Sequence, residues 1–178
     1  MRSLTLTNPS LAIDWDNKVI FQRPDPSSPS KVSIISGGGS GHEPAFAGLV
    51  GTGLLTAAAA GTIFASPSAE QVRKAAIERV NTEKGVFIIP NNYTGDVLNF
   101  GMAAEKLRAA GVKAEFFAVN DDVGVGRKKG GKVGRRGIGG AALVLKIVGA
   151  LAEAGYAPLP FSLFYDIISN PEQKCDGG

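Results

Sequence analysis

The chain has 178 residues, 44% of them hydrophobic, and a formal net charge of +3. That length is enough for one domain with a real core, and that hydrophobic share excludes wholesale disorder. The charge is too mild to imply nucleic acid, and the single cysteine, Cys175, excludes an internal disulfide and fits a reducing, cytoplasmic setting.

Met1 to Ser10 lacks the apolar core of a signal peptide. Residues 1–30 read as an irregular arm with one short strand, Lys18 to Gln22, after which Pro24, Pro26 and Pro29 break regular structure. Val32 to Ile35 is an apolar run that reads as a buried strand. It leads into Ser36-Gly37-Gly38-Gly39-Ser40-Gly41-His42-Glu43-Pro44, which holds the only histidine. Glycines at this density let a backbone approach a ligand closely, and an imidazole at such a turn exchanges protons near neutral pH. Pro44 to Ala69 carries no charge and is long enough to span a bilayer. Gly48, Gly51, Gly53, Gly61 and the small residues Ala57 to Ala60 instead suit a short helix (Pro44 to Val50), a buried strand (Leu54 to Ala60) and a turn. No membrane association is expected.

Ser66-Pro67-Ser68-Ala69-Glu70 looks like a helix start with Ser66 or Ser68 as N-cap, and Val72, Ala75, Ala76 and Val80 share one apolar face. Gly85 to Pro90 reads as another buried strand, Asn91 to Asp96 as a polar turn, Val97 to Ala110 as an amphipathic helix ended by Gly111, and Val112 to Val119 as the next strand. A loop rich in Gly, Lys and Arg follows Asn120-Asp121-Asp122, and Ala141 to Ala154 is the last helix. Tyr156 to Gly178 shows no amphipathic element. Alternating strands and helices predict an α/β fold with a largely parallel sheet flanked by helices.

Three strand exits carry polar residues: Gly37 to Glu43, Asn91 to Asp96 and Asn120 to Asp122. In a parallel sheet such exits share one edge, so His42 and Asp96 can converge on a ligand although remote in sequence. An imidazole and a carboxylate together suit removal of a proton from a hydroxyl group. The competing reading is that each caps its own helix, and the residue pattern alone leaves both open. The glycine loop lacks the Gly-Lys-Ser/Thr of a phosphate-binding loop, and neither it nor Gly124-Val125-Gly126 completes a dinucleotide fingerprint. The basic run Arg127 to Arg136 has the charge to hold phosphate or an acidic partner, but it lacks the interleaved aromatics of a nucleic-acid reader, and a solvated, mobile loop is expected. No metal-ligating pattern is present around Cys175.

Four segments carry a family resemblance. SGGGSGHEPAFAGLVGTGLL from Ser36, GTIFASPSAEQV from Gly61, NNYTGDVLNFGMAAEKLRAAGV from Asn91 and NDDVGVGRKKGGKVGRRGIGG from Asn120 resemble, in collinear order, the substrate-binding K domain of dihydroxyacetone (glycerone) kinases. The likeness is nearest to the single-chain ATP-dependent fungal type and covers about residues 8–155. It implies a kinase acting on dihydroxyacetone or glyceraldehyde. It implies that Gly39, Ser40, Gly41, His42, Asn91 and Asp96 contact substrate, with His42 as proton acceptor and Asp96 binding and helping to activate the substrate hydroxyl. ATP and magnesium would be held by a separate domain, with none bound by this chain, and a homodimer is the expected assembly.

Two departures stand out. Asn91 occupies a position where the family usually has lysine. The family also fixes its ketone on a second, downstream histidine, which this sequence lacks. The resemblance thus implies an N-terminal arm (1–30), a partial K domain (31–155) and a divergent tail (156–178), a truncated chain with little activity alone. The alternative reading is a non-catalytic ketose-binding or regulatory protein.

Overall fold

The computed structural model describes residues 2–126 and 129–156. Among these residues six strands form one sheet: β1 (Leu11–Asp14), β2 (Val19–Gln22), β3 (Ser33–Ser40), β4 (Ala57–Ile63), β5 (Val86–Ile88) and β6 (Ala114–Phe116), in the spatial order β1-β2-β4-β3-β5-β6. The pairings β3–β4, β3–β5 and β5–β6 are parallel, while β1–β2 and β2–β4 are antiparallel. The expected α/β class and largely parallel sheet are therefore present, with an antiparallel edge.

That edge corrects the reading of residues 1–30 as an irregular arm. The segment contains a helix, α1 (Arg2–Thr7), and two strands that turn at Asp14 to Asn17. Asp14 makes the turn by accepting hydrogen bonds from Asn17 N (3.1 Å) and Asn17 Nδ2 (2.8 Å). Arg79 Nε then donates to the buried Asp14 carboxylate at 2.8 Å, tying the hairpin to the layer behind it. The prolines after Gln22 end the hairpin rather than dissolve it.

The helices are α2 (Ala69–Lys74), which continues as a π turn through Arg79, then α3 (Thr94–Ala109) and α4 (Gly140–Glu153). Ser68, rather than Ser66, is the N-cap of α2. Its hydroxyl accepts from Gln71 N while the Gln71 side chain returns to Ser68 N, a reciprocal box that satisfies two otherwise orphaned amides. The segment expected as a helix over Pro44 to Val50 is a single 3-10 turn, Ala47–Leu49.

Burial explains the layering. Successive residues of a strand point to opposite faces. Val86 and Ile88 join Ile35, Ala57 and Ala59 against α2 and α3. Phe87 and Ile89 join Ile34, Ala58 and Leu55 against α4. Both faces are covered, so the strands read as continuous apolar runs rather than alternations. The alanines of β4 keep the sheet thin enough for helices to approach closely. Among the described residues no helix is long and apolar enough to cross a membrane. Residues 157–178, with Cys175 and nearly all of the expected divergent tail, lie outside those described.

Gly149 shows how tightly α4 seats. A Cβ at this position would stand 2.5 Å from Leu54 Cα. Gly149→Val should therefore destabilise the chain by about 2 kcal/mol through overpacking, whereas Ala150→Gln on the exposed side of the same helix should change little. Thermal unfolding followed by circular dichroism checks this, and equal melting temperatures for the two variants would contradict the packing described.

Candidate functional site

The site begins with the geometry of β3. Its register against β4 shifts between Gly38 and Ser40, so the strand end bends toward the exit of β4. The loop after β4 is then bonded to it, with Phe64 N donating to Ser40 O at 2.8 Å and Ser40 Oγ donating to Gly61 O at 2.8 Å. Two glycines make this approach possible. A Cβ on Gly39 would lie 2.6 Å from Ala65 N, and one on Gly61 would lie 1.9 Å from Ala65 O. No side chain fits at either place.

Phe64 packs over Gly41 and meets His42 edge-on, with ring centroids 5.1 Å apart at 88°. His42 Nδ1 lies 3.1 Å from Gly39 O. A carbonyl only accepts, so the ring hydrogen belongs on Nδ1 and Nε2 is left as the accepting nitrogen. His42 thus caps no helix; it is oriented by its own glycine turn.

Asp96 arrives from the other side. Helix α3 starts at Thr94, three residues before the expected Val97, which puts Asp96 inside the first helical turn. A carboxylate there is favoured by the partial positive charge of the helix N-terminus. Tyr93 provides no side-chain cap, and Asp96 Oδ1 instead accepts a hydrogen bond from Ser66 Oγ. Gly95 leaves room for this, since a Cβ there would press on Ser66 Oγ at 3.3 Å.

These segments enclose a cavity of about 270 Å³ lined by Gly38, Gly39, His42, Ala45, Phe46, Phe64, Ser66, Asn91, Tyr93, Gly95 and Asp96. Its size suits a small polar molecule more than a drug-sized one. Of the residues singled out in the sequence, Gly39, His42, Asn91 and Asp96 share this wall. Ser40 and Gly41 do not: the Ser40 hydroxyl is taken by Gly61 O, and Gly41 N donates to Glu43 Oε2 at 2.9 Å. The third strand exit also lies elsewhere, because Asp121 accepts from Ile138 N (2.7 Å) and Gly140 N (2.6 Å) and so fastens the start of α4. Ser66, Phe64 and Tyr93 escaped the sequence reading. For Ser66 the Ser-Pro-Ser pattern pointed only to a helix cap.

The same enclosure raises the Asp96 carboxyl from 3.8 to about 6, through loss of water around it, with His42 pulling weakly the other way. A carboxyl with that proton affinity is a stronger base near neutral pH than an ordinary aspartate. The sign for stability follows from linkage. The folded state holds this proton more tightly than the unfolded state, so the contribution of Asp96 to stability falls as pH rises through about 4 to 6. Asp96→Asn keeps an acceptor for Ser66 and removes the charge. The stability of this variant relative to the parent should improve steadily from about pH 4 to about pH 7 and then level off. Urea unfolding at a series of pH values tests this; a difference that does not vary with pH would show that Asp96 titrates as an exposed carboxylate.

Among the described residues no cluster of three or more His, Cys, Asp or Glu is placed to hold a metal ion. With no Gly-Lys-Ser/Thr phosphate-binding loop in the sequence either, the described residues do not supply the donor set of a magnesium–nucleotide site.

The chain is similar to several known proteins in sequence and in fold. Dihydroxyacetone kinase 2 of Saccharomyces cerevisiae is 54% identical over 155 residues, which is 85% of this chain and 26% of that protein. The crystal structure of the Citrobacter freundii dihydroxyacetone kinase in complex with AMP-PNP and Mg2+ superposes with a TM-score of 0.80 at 41% identity, over 95% of this chain and 31% of that one. A dihydroxyacetone kinase operon co-activator superposes with a TM-score of 0.82 at 35% identity, over 92% of this chain and 49% of that one. The chain thus spans about a quarter of the length of the yeast kinase it matches. The Dak1 domain model matches residues 2–159, and with the shared fold and the collinear motifs this establishes that the chain belongs to the Dak1 domain family.

Proposed function

We propose that the chain is the sugar-holding part of a dihydroxyacetone kinase, acting in the cytoplasm, and that its cavity binds dihydroxyacetone or the related glyceraldehyde. The observation that carries this reading is the meeting of His42 and Asp96 on one cavity wall, within a chain 54% identical to a dihydroxyacetone kinase over 155 residues. In the mechanism the Gly39 carbonyl fixes the tautomer of His42, whose Nε2 takes a hydrogen bond from one hydroxyl of the sugar. Asp96, held through Oδ1 by Ser66, accepts the proton of the hydroxyl to be phosphorylated. Phe46 and Phe64 add apolar surface to the same cavity, and the half-buried Asp96 is the member of the pair that loses water. ATP and magnesium are supplied by residues other than those described here.

A second reading has its own support. The structural neighbour named as an operon co-activator shares this fold at 35% identity. The sequence also holds one histidine only. In that reading the cavity senses a ketose without phosphorylating it.

Titration calorimetry of the 178-residue chain with dihydroxyacetone distinguishes them in combination with an ATP-coupled assay. Reversible binding is expected, weakened about tenfold by either His42→Ala or Asp96→Asn, as for loss of one hydrogen bond to a polar ligand. Phosphorylation by the chain alone should be at background, and should appear when the chain is fused to the remainder of a dihydroxyacetone kinase. Binding with no turnover in that fusion would favour the sensor, and no binding in the parent chain would overturn both readings.

A further inference from the structure

The last part of the basic loop is not the free, solvated run that its composition suggests. Residues 133–137 are seated along residues 91–93, position by position. Asn92 Nδ2 donates to Val133 O (3.0 Å) and to Arg135 O (2.6 Å). Gly137 backs directly onto Asn91, with room for no Cβ because that atom would stand 2.5 Å from Asn91 Oδ1. Arg136 carries its guanidinium 5.2 Å from the centroid of the Tyr93 ring. Asn91 and Tyr93 both line the cavity, so Arg136 is one residue removed from it.

The charge of Arg136 is unspent. Among the described residues Arg73, Arg79 and Arg108 each pair with a carboxylate, whereas Arg136 has none within ion-pair distance. Its backbone is fixed at the same time, since Arg136 O accepts from Asp122 N at 3.0 Å. Among the described residues the cavity lining holds no permanent cation: its polar side chains are His42, Ser66, Asn91, Tyr93 and Asp96. A hydroxyl that becomes a phosphate ester there gains a dianionic group beside the Asp96 carboxylate. That product needs a cation at the rim, and a guanidinium offers a planar fork of donors matched to phosphate oxygens.

We infer that Arg136 is an anion-receiving residue at the rim of the cavity, taking the phosphate of a phosphorylated three-carbon sugar. This rests on the reading of the cavity as a triose site and adds an element to it. The Tyr93 ring holds the guanidinium ready without neutralising it, and the clamp of Asn92 on Val133 and Arg135 presets the loop before ligand arrives.

The test is calorimetry on the 178-residue chain with dihydroxyacetone, dihydroxyacetone phosphate and inorganic phosphate as separate probes. Parent, Arg136→Gln and Arg136→Lys proteins are compared at low and at moderate salt. Arg136→Gln should leave the affinity for dihydroxyacetone within about twofold and weaken dihydroxyacetone phosphate about tenfold or more, the size of one lost charge-assisted contact. Arg136→Lys should fall between, and it guards against a loop merely loosened, because it keeps a cation over Tyr93. The preference for the phosphate ester in the parent should shrink with salt. Equal losses for both sugars in Arg136→Gln, or no loss for either, would overturn the inference. So would inorganic phosphate binding as tightly as the ester. If the parent binds the ester through Arg136 but not the free sugar, the anion site stands and the triose reading falls; if it binds neither, both fall.

Discussion

The structure of the site depends on a contact in which two backbones touch with nothing between them. The loop over Phe64 to Ser66 lies directly on Gly39 and on Gly61, at separations that any Cβ would close. This contact does three things at once. It brings Phe64 against His42, brings Ser66 to Asp96, and closes one wall of the cavity. Glycine is costly here in chain entropy, as it is anywhere in regular structure. The return is a cavity whose shape is set by main chain rather than by adjustable side chains. The His42 ring is then oriented by a main-chain carbonyl and the Asp96 carboxylate by a hydroxyl, so both groups are preorganised before any ligand enters.

Desolvation gives the two groups different tasks. Asp96 sits half-buried behind aromatic rings, and the loss of water lifts its proton affinity toward neutrality. His42 stays exposed on the glycine turn, with its Nδ1 committed to Gly39 O. A carboxylate that holds a proton near pH 6 and an imidazole restricted to one tautomer form a pair suited to hydroxyl chemistry. Beyond the cavity, Arg136 stacks its guanidinium on Tyr93, one of the residues that line it.

Much of this was legible from the residues, for physical reasons that differ between elements. Val32 to Ile35 followed by four glycines within five positions identified a buried strand entering a ligand loop, because apolar runs and φ freedom are local properties. Helix α3 was equally plain from its apolar spacing and from Gly111 at its end. The β1–β2 hairpin was not, since its strands are short and only the ion pair of Asp14 with Arg79, 65 positions away, shows why they dock. The pairing of Ser66 with Asp96 and the seat of Arg136 on Tyr93 were missed for the same reason. Nothing near Ser66 in sequence indicates that its partner is Asp96, and nothing near Arg136 indicates Tyr93. A run of lysines and arginines reads as solvated until tertiary contacts pin its carbonyls. Ser40 and Gly41 illustrate the converse: adjacency to His42 in the chain does not put a residue on the wall of the cavity.

The cavity is assembled from the exits of three different strands, which the sheet sets side by side and the contacts of Phe64 with His42 and Ser66 with Asp96 then tie together. His42 follows β3, Ser66 follows β4, and Asp96 follows β5. No fragment short of the assembled β4-β3-β5 core contains the whole receptor. Occupancy of such a cavity and global folding are therefore linked equilibria. Any small molecule that binds only the assembled cavity draws the chain toward the folded state and slows those amide exchange events, deep in strands it never touches, that require global unfolding.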